Sequence, residues 1–168
     1  MAPVSMEVRL DQIAESIDRL ITTELEARPN EARGRIHYLY EAAREQCPRP
    51  LAMAAAEALR AAAASGRPVV VSSGWVIDFW LPRGEMCGIV GAAALARTIT
   101  QGLRVPVVFL GEEPVLPVYE AICLAADMRV YPYEKRAELP NVITARTFPI
   151  DPAEAEREAT RFLDAVQP

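Results

Sequence analysis

Histidine and lysine are almost missing from this chain, which holds one of each, His37 and Lys135, in 168 residues. A nitrogen-ligated metal centre or a histidine-activated nucleophile therefore has little to be built from. Three cysteines, Cys47, Cys87 and Cys123, are odd in number and lack C-x-x-C spacing, which excludes a disulfide framework and a thiolate metal cluster. A metal site would have to consist of acids alone, and no spacing asks for one. The glycines at 84, 88 and 91 match neither G-x-G-x-x-G nor the phosphate loop G-x-x-x-x-G-K-[ST], so no nucleotide cofactor is expected. Ser72 and Ser73 lack a G-x-S-x-G elbow and read as hydrogen-bonding residues at a strand end. The apolar stretches are broken by Glu57, Arg60 or Asp78 short of the roughly 18 residues of a membrane span. The opening MAPVSMEVRL has no uninterrupted apolar core, so a soluble, cytoplasmic protein is expected. Net charge is −5 and the arginines are scattered, which leaves no basic footprint for nucleic acid.

What is present divides at Gly66. Leu10, Ile13, Ile17, Leu20 and Ile21 recur at helical steps and predict an amphipathic helix ending near Arg28 and Pro29. Asn30 is placed to cap a second helix carrying Ile36, Leu39, Tyr40 and Ala43, which Pro48 and Pro50 stop. An Ala-rich third helix runs from about Leu51 to Ala64, with Gly66 as its left-handed cap. Beyond it the pattern reads strand 69–72, helix 92–101 closed by Gly102, strand 105–110 and helix 115–126. Short strands near 128–131 and 142–148 extend the sheet, and Asp151, Pro152 and Glu154 open a last helix. The fold class is α/β: a three-layer α/β/α, Rossmann-like, mostly parallel sheet preceded by an N-terminal helical segment. One domain over 1–168 is expected, with a helical part (1–66) and a βαβα core (67–168); at this length roughly 70% of the unfolded surface can be buried.

In such sheets ligands lie beyond the carboxyl ends of the strands, here Ser72, Ser73 and Gly74, then Gly111, Glu112 and Glu113. The loop after the first strand holds Glu85 beside the glycines, placed for general acid or base work. Gly91 is read as opening a helix whose unpaired amides favour a carboxylate or phosphate. Arg83 and Arg97 flank the loop as candidate carboxylate clamps. Cys87 would gain acidity at a helix start, although the only histidine, His37, lies on the second helix. Trp75, Phe79 and Trp80 give the loop an apolar body suited to a lid or a partner surface.

The succession ARGRIHYLYEAAR, PLAMAAAEAL, VVVSSGW and GEMCGIVGAAALARTI resembles the D-glutamate cyclase family, in its C-terminal-type domain. The matching positions are Gly34, Tyr40, Ala43, Pro50, Leu51, Gly74, Glu85, Gly88, Gly91, Leu95 and Arg97. Met86 and Cys87 replace the family's Thr and Asp, and Ile89 and Val90 replace two prolines, which makes a polar, rigid loop apolar. The likeness runs from about Gly34 to Phe148, and the family's second, glycine-rich half has no counterpart here. It implies a lyase that closes D-glutamate to 5-oxo-D-proline with loss of water. Glu85 is then the catalytic residue, with Ser73, Gly74, Gly88, Gly91, Arg97 and Glu112 binding a small acidic amino acid or its lactam. No metal or cofactor is implied, and a homo-oligomer or a partner subunit is expected to complete the site. The alternative from another class is a non-catalytic binding or scaffold module that keeps the fold; the apolar loop also suits a less polar ligand.

Overall fold

The computed structural model describes residues 6–24 and 34–167. The chain divides into two compact units, one ending at Ala61 and the other beginning at Ala62. In the first unit lie α1 (Met6–Ile21), α2 (Arg35–Gln46) and most of α3 (Leu51–Ala63). The expected end of the first helix near Arg28 and the Asn30 cap lie outside the described residues.

A helix start leaves amides without intrahelical partners, and here distant carboxylates supply them. α2 opens after Gly34, at φ 82°, and the Gly34 and Ile36 amides donate to Glu24 at 2.8 and 3.2 Å. α3 follows Pro50, whose side chain has no acceptor. Asp18 of α1 takes that role: it is 1% exposed and accepts from the Leu51 and Ala52 amides at 2.6 and 2.9 Å. The Tyr40 hydroxyl of α2 donates to the same carboxylate at 3.1 Å, so one side chain ties three helices together. Arg44 stands 3.8 Å from Asp18 and donates to Tyr40 and Glu15, each at 2.7 Å. That guanidinium holds the Glu15 carboxyl below its ordinary range. The apolar stripe of α1 faces outward, while Ala14 and Asp18 occupy its buried side.

The second unit is built on four parallel strands, β1 (Val69–Ser72), β2 (Val107–Gly111), β3 (Val130–Pro132) and β4 (Ile143–Thr147), in the order β1-β2-β4-β3. β2 is central and buried at every residue, as a continuous apolar strand between two helical layers must be. Its alternation sorts the layers. Phe109 stacks on Tyr119 of α5 (Leu116–Ala125), with ring centroids 3.7 Å apart. Val108 and Leu110 point the other way and pack on Phe162 and Val166 of α6 (Pro152–Val166). The result is the three-layer α/β/α arrangement, and each large apolar side chain buried in it contributes about 1.5–3 kcal/mol. β1 and β3 form the edges. Asp151 caps α6 through the Glu154 amide at 2.9 Å, with Pro152 in the first turn, as the sequence indicates.

Two boundaries need correction. The helix after β1, α4, spans Met86–Arg97, so Gly91 lies inside it and does not open it. Gly102 does not close it either: the chain continues as a π-helical turn, Thr98–Leu103, and leaves through Arg104 at φ 57°. The joined stretch Met86–Leu103 is, contrary to expectation, long and apolar enough by composition to cross a membrane. Five of its eighteen residues, Ile89, Ala92, Ala93, Ala96 and Ile99, are buried in the second unit.

Replacing Asp18 by Ala strands two helix-start amides and a hydroxyl. Asp18→Ala is expected to cost about 2–4 kcal/mol, read by urea unfolding followed in the far-UV. Asp18→Asn, which keeps one acceptor, is expected to cost less. A loss within about 0.5 kcal/mol of zero, the scale of an ordinary surface change, would remove this carboxylate from its central position.

Candidate functional site

β1 ends at Ser72, and the chain passes through Ser73, Gly74 and Trp75 into a loop closed at its base by the Glu85 amide, which donates to the Gly74 carbonyl at 2.9 Å. Inside the loop Ile77 and Leu81 form an antiparallel bridge. Gly84 sits at φ +86°, where a Cβ would lie 2.8 Å from Val115 Cγ2 and 3.0 Å from the Gly74 carbonyl oxygen. Only glycine fits both the backbone and the space. Trp75 and Trp80 are about two-thirds exposed and Phe79 is 93% exposed, so these rings stand at the surface.

Glu85 is the N-cap of α4. Its carboxylate accepts from the Gly88 amide at 2.9 Å and the Cys87 amide at 3.3 Å, and the Cys87 thiol donates to it as well. The donors expected to await an anionic ligand are satisfied from within. The thiol, then the Gly88 amide, hold the Glu85 carboxyl below its ordinary 4.5. Its stabilising contribution is thus present above about pH 4.5 and disappears as pH falls through the lowered value. The carboxylate in turn pushes the Cys87 thiol above its usual 9.0, opposite to the acidity a bare helix start would confer. An acid held ionised and a thiol held protonated are a poor proton donor and a poor nucleophile at neutral pH.

The remaining candidates separate into groups. Ser73 meets α4 at Gly88, where a Cβ would stand 2.8 Å from Ser73 Oγ. Gly74 leaves room for Glu112, whose Oε1 would be 2.7 Å from a Cβ there. Glu112 accepts from the Val76 amide at 3.1 Å and so holds the loop to the exit of β2. Gly91 opens onto free space. Arg97 lies at the far end of α4, roughly 18 Å along the axis from Glu85, and donates to the Ala126 carbonyl. His37, on α2 in the first unit, is exposed and 3.9 Å from Glu41.

Beyond the carboxyl ends of β1, β2 and β4 lies a cleft of about 850 Å³, continued by a second hollow along Ser72–Trp75 and Gly111. Asp78, Glu112, Glu113, Asp151, Glu154 and Glu158 line the cleft, against one guanidinium, Arg146. Arg146 bonds Glu158 at 2.6 Å and lies over the Tyr133 ring. Sequence reasoning placed the site at β1 and β2 and left out β4, because strand order cannot be read from a single sequence; with β4 beside β2, Arg146 and the start of α6 join the rim. Among the described residues no three His, Cys, Asp or Glu side chains converge closely enough to hold a metal ion. Compared with protein-family models, curated proteins and solved structures, the chain matches none.

The cap has a chemical readout. Cys87 is expected to be alkylated by iodoacetamide at pH 7.5 more slowly than a free cysteine, followed residue by residue by mass spectrometry. Glu85→Gln removes the charge that holds the thiol protonated and is expected to raise the rate several-fold. An unchanged rate in that variant would contradict the described coupling.

Proposed function

We propose that the second unit is a non-catalytic binding module whose cleft at the carboxyl edge of the sheet takes a small molecule carrying positive charge. One observation carries the reading: six acidic residues line a cavity against one guanidinium, and after Glu158 pairs with Arg146, Asp151 caps α6 and Glu112 takes the Val76 amide, the carboxylates of Asp78, Glu113 and Glu154 make no hydrogen bond within the described residues. Such a wall concentrates cations and repels anions, and its volume suits a metabolite-sized guest. The acids are spread around the rim, which favours an extended organic cation, such as a diamine or a basic amino acid, over a single ion.

Glu85 and Cys87 then belong to the scaffold, because each spends its polar atoms on the other and on the start of α4. The D-glutamate cyclase reading retains one supporting feature, Glu112 at the cleft, which is able to receive a substrate ammonium. Two substrate carboxylates would enter the same acidic field with no uncommitted guanidinium on the cleft wall. The balance of charge favours the binding module.

A thermal-shift panel of lysine, arginine and putrescine against D-glutamate and 5-oxoproline tests this. A cation at a hundredfold excess over its Kd is expected to raise the melting temperature by about 5–10 °C. Asp78→Asn combined with Glu113→Gln, two exposed acids on the cleft wall, should abolish the shift and leave the unliganded melting temperature unchanged. Formation of 5-oxoproline from D-glutamate, lost in Glu85→Ala, would instead establish the cyclase.

A further inference from the structure

We infer that α1 is a self-association surface, its outward apolar stripe pairing with the same stripe of a second copy of this chain. The helix is inverted relative to an ordinary surface helix. Its small and acidic residues, Ala14 and Asp18, are 4% and 1% exposed, while Met6, Leu10, Ile13, Ile17, Leu20 and Ile21 are 70%, 45%, 56%, 44%, 75% and 69% exposed. Hydrophobic side chains gain by leaving water, so a face of this composition is matched to a dry partner.

Three observations specify the partner. First, Met6, Leu10, Ile13, Ile17 and Leu20 follow one another at steps of four and three, the 3.5-residue repeat that keeps an apolar seam facing an identical helix. Second, at roughly 180 Å² for each large aliphatic residue the exposed fractions leave on the order of 600 Å² of these residues open, close to the ~800 Å² per partner of a standard interface once flanking atoms are counted. Third, charge separates a second copy from a lipid surface. The polar residues beside the stripe include one cation, Arg9, with Gln12 and Ser16, whereas a helix that lies on anionic headgroups is rich in Lys and Arg. Arg9, Gln12 and Ser16 border the groove along the stripe, so two copies meet there without a row of like charges.

The helix is also preformed for this purpose. Asp18 bonds to α2 and α3, Glu15 to Arg44 and Asp11 to Arg49, so little ordering remains to be done on association. None of these contacts uses the outward stripe.

Sedimentation equilibrium of the full chain from about 1 to 100 µM, where mass action resolves a micromolar Kd, is the test. The wild type is expected to dimerise. The Ile13→Glu/Ile17→Glu double variant should remain monomeric with an unchanged helical far-UV signal, its Kd raised at least about 100-fold. Should the acidic pair disturb folding, Ile13→Ser/Ile17→Ser decides the question in the same way. Phe79→Ser/Trp80→Ser, on the exposed loop of the other unit, should leave the dimer intact. A monomeric wild type, a dimer that survives both stripe variants, or a dimer abolished only by the loop variant overturns the inference. None of these outcomes depends on ligand binding at the cleft.

Discussion

Helix starts need hydrogen-bond acceptors, and four helices of this chain meet that constraint with carboxylates. Glu24 serves α2, Asp18 serves α3, Glu85 serves α4 and Asp151 serves α6. The distances in sequence differ greatly. Asp151 and Glu85 act locally, within three residues, whereas Asp18 reaches an element more than thirty positions away. The local caps set where a helix begins, and the remote one sets how three helices are joined. The surplus of acids in the composition, 23 against 18 basic residues, is therefore partly structural.

The same constraint decides which functional reading gains. A free helix start following a strand is an anion site; a helix start closed by its own carboxylate is not. Glu85 and Cys87 neutralise each other's reactivity, and the gaps left by Gly74 and Gly88 let Glu112 and Ser73 approach. The loop after β1 is thereby fastened at the cleft margin, where its Val76 and Asp78 join the lining. The acids that line the cleft come from Asp78 of this loop, from Glu112 and Glu113 after β2 and from the first turns of α6, while β4 adds Arg146.

Much of the fold is legible in the sequence because its signals are local. Val69–Val71 and the run Val107–Leu110 are apolar over strand lengths, Asp151-Pro152 carries its own cap, and Gly66 takes the positive φ of 72° that a helix end favours. Three features were hidden for the same physical reason. The start of α4 depends on a side chain folding back on amides two and three residues later, and the glycines beside it suggest a loop. The outward turn of the α1 stripe depends on Asp18 finding partners on two other helices, which periodicity does not report. The part β4 plays at the cleft depends on strand order, a long-range property. Glu85, Ser73, Gly74, Gly88 and Glu112 fall near the carboxyl end of β1, while Arg97 is carried away by the length of α4.

The edges of the sheet have one further consequence. β1 is four residues long and preceded by Pro68, and β3 is three residues long and ends on Pro132. Proline has no amide hydrogen, and strands this short present too few free backbone groups to template another chain. Short, proline-bounded edges of this kind disfavour ladder extension between folded copies brought close together.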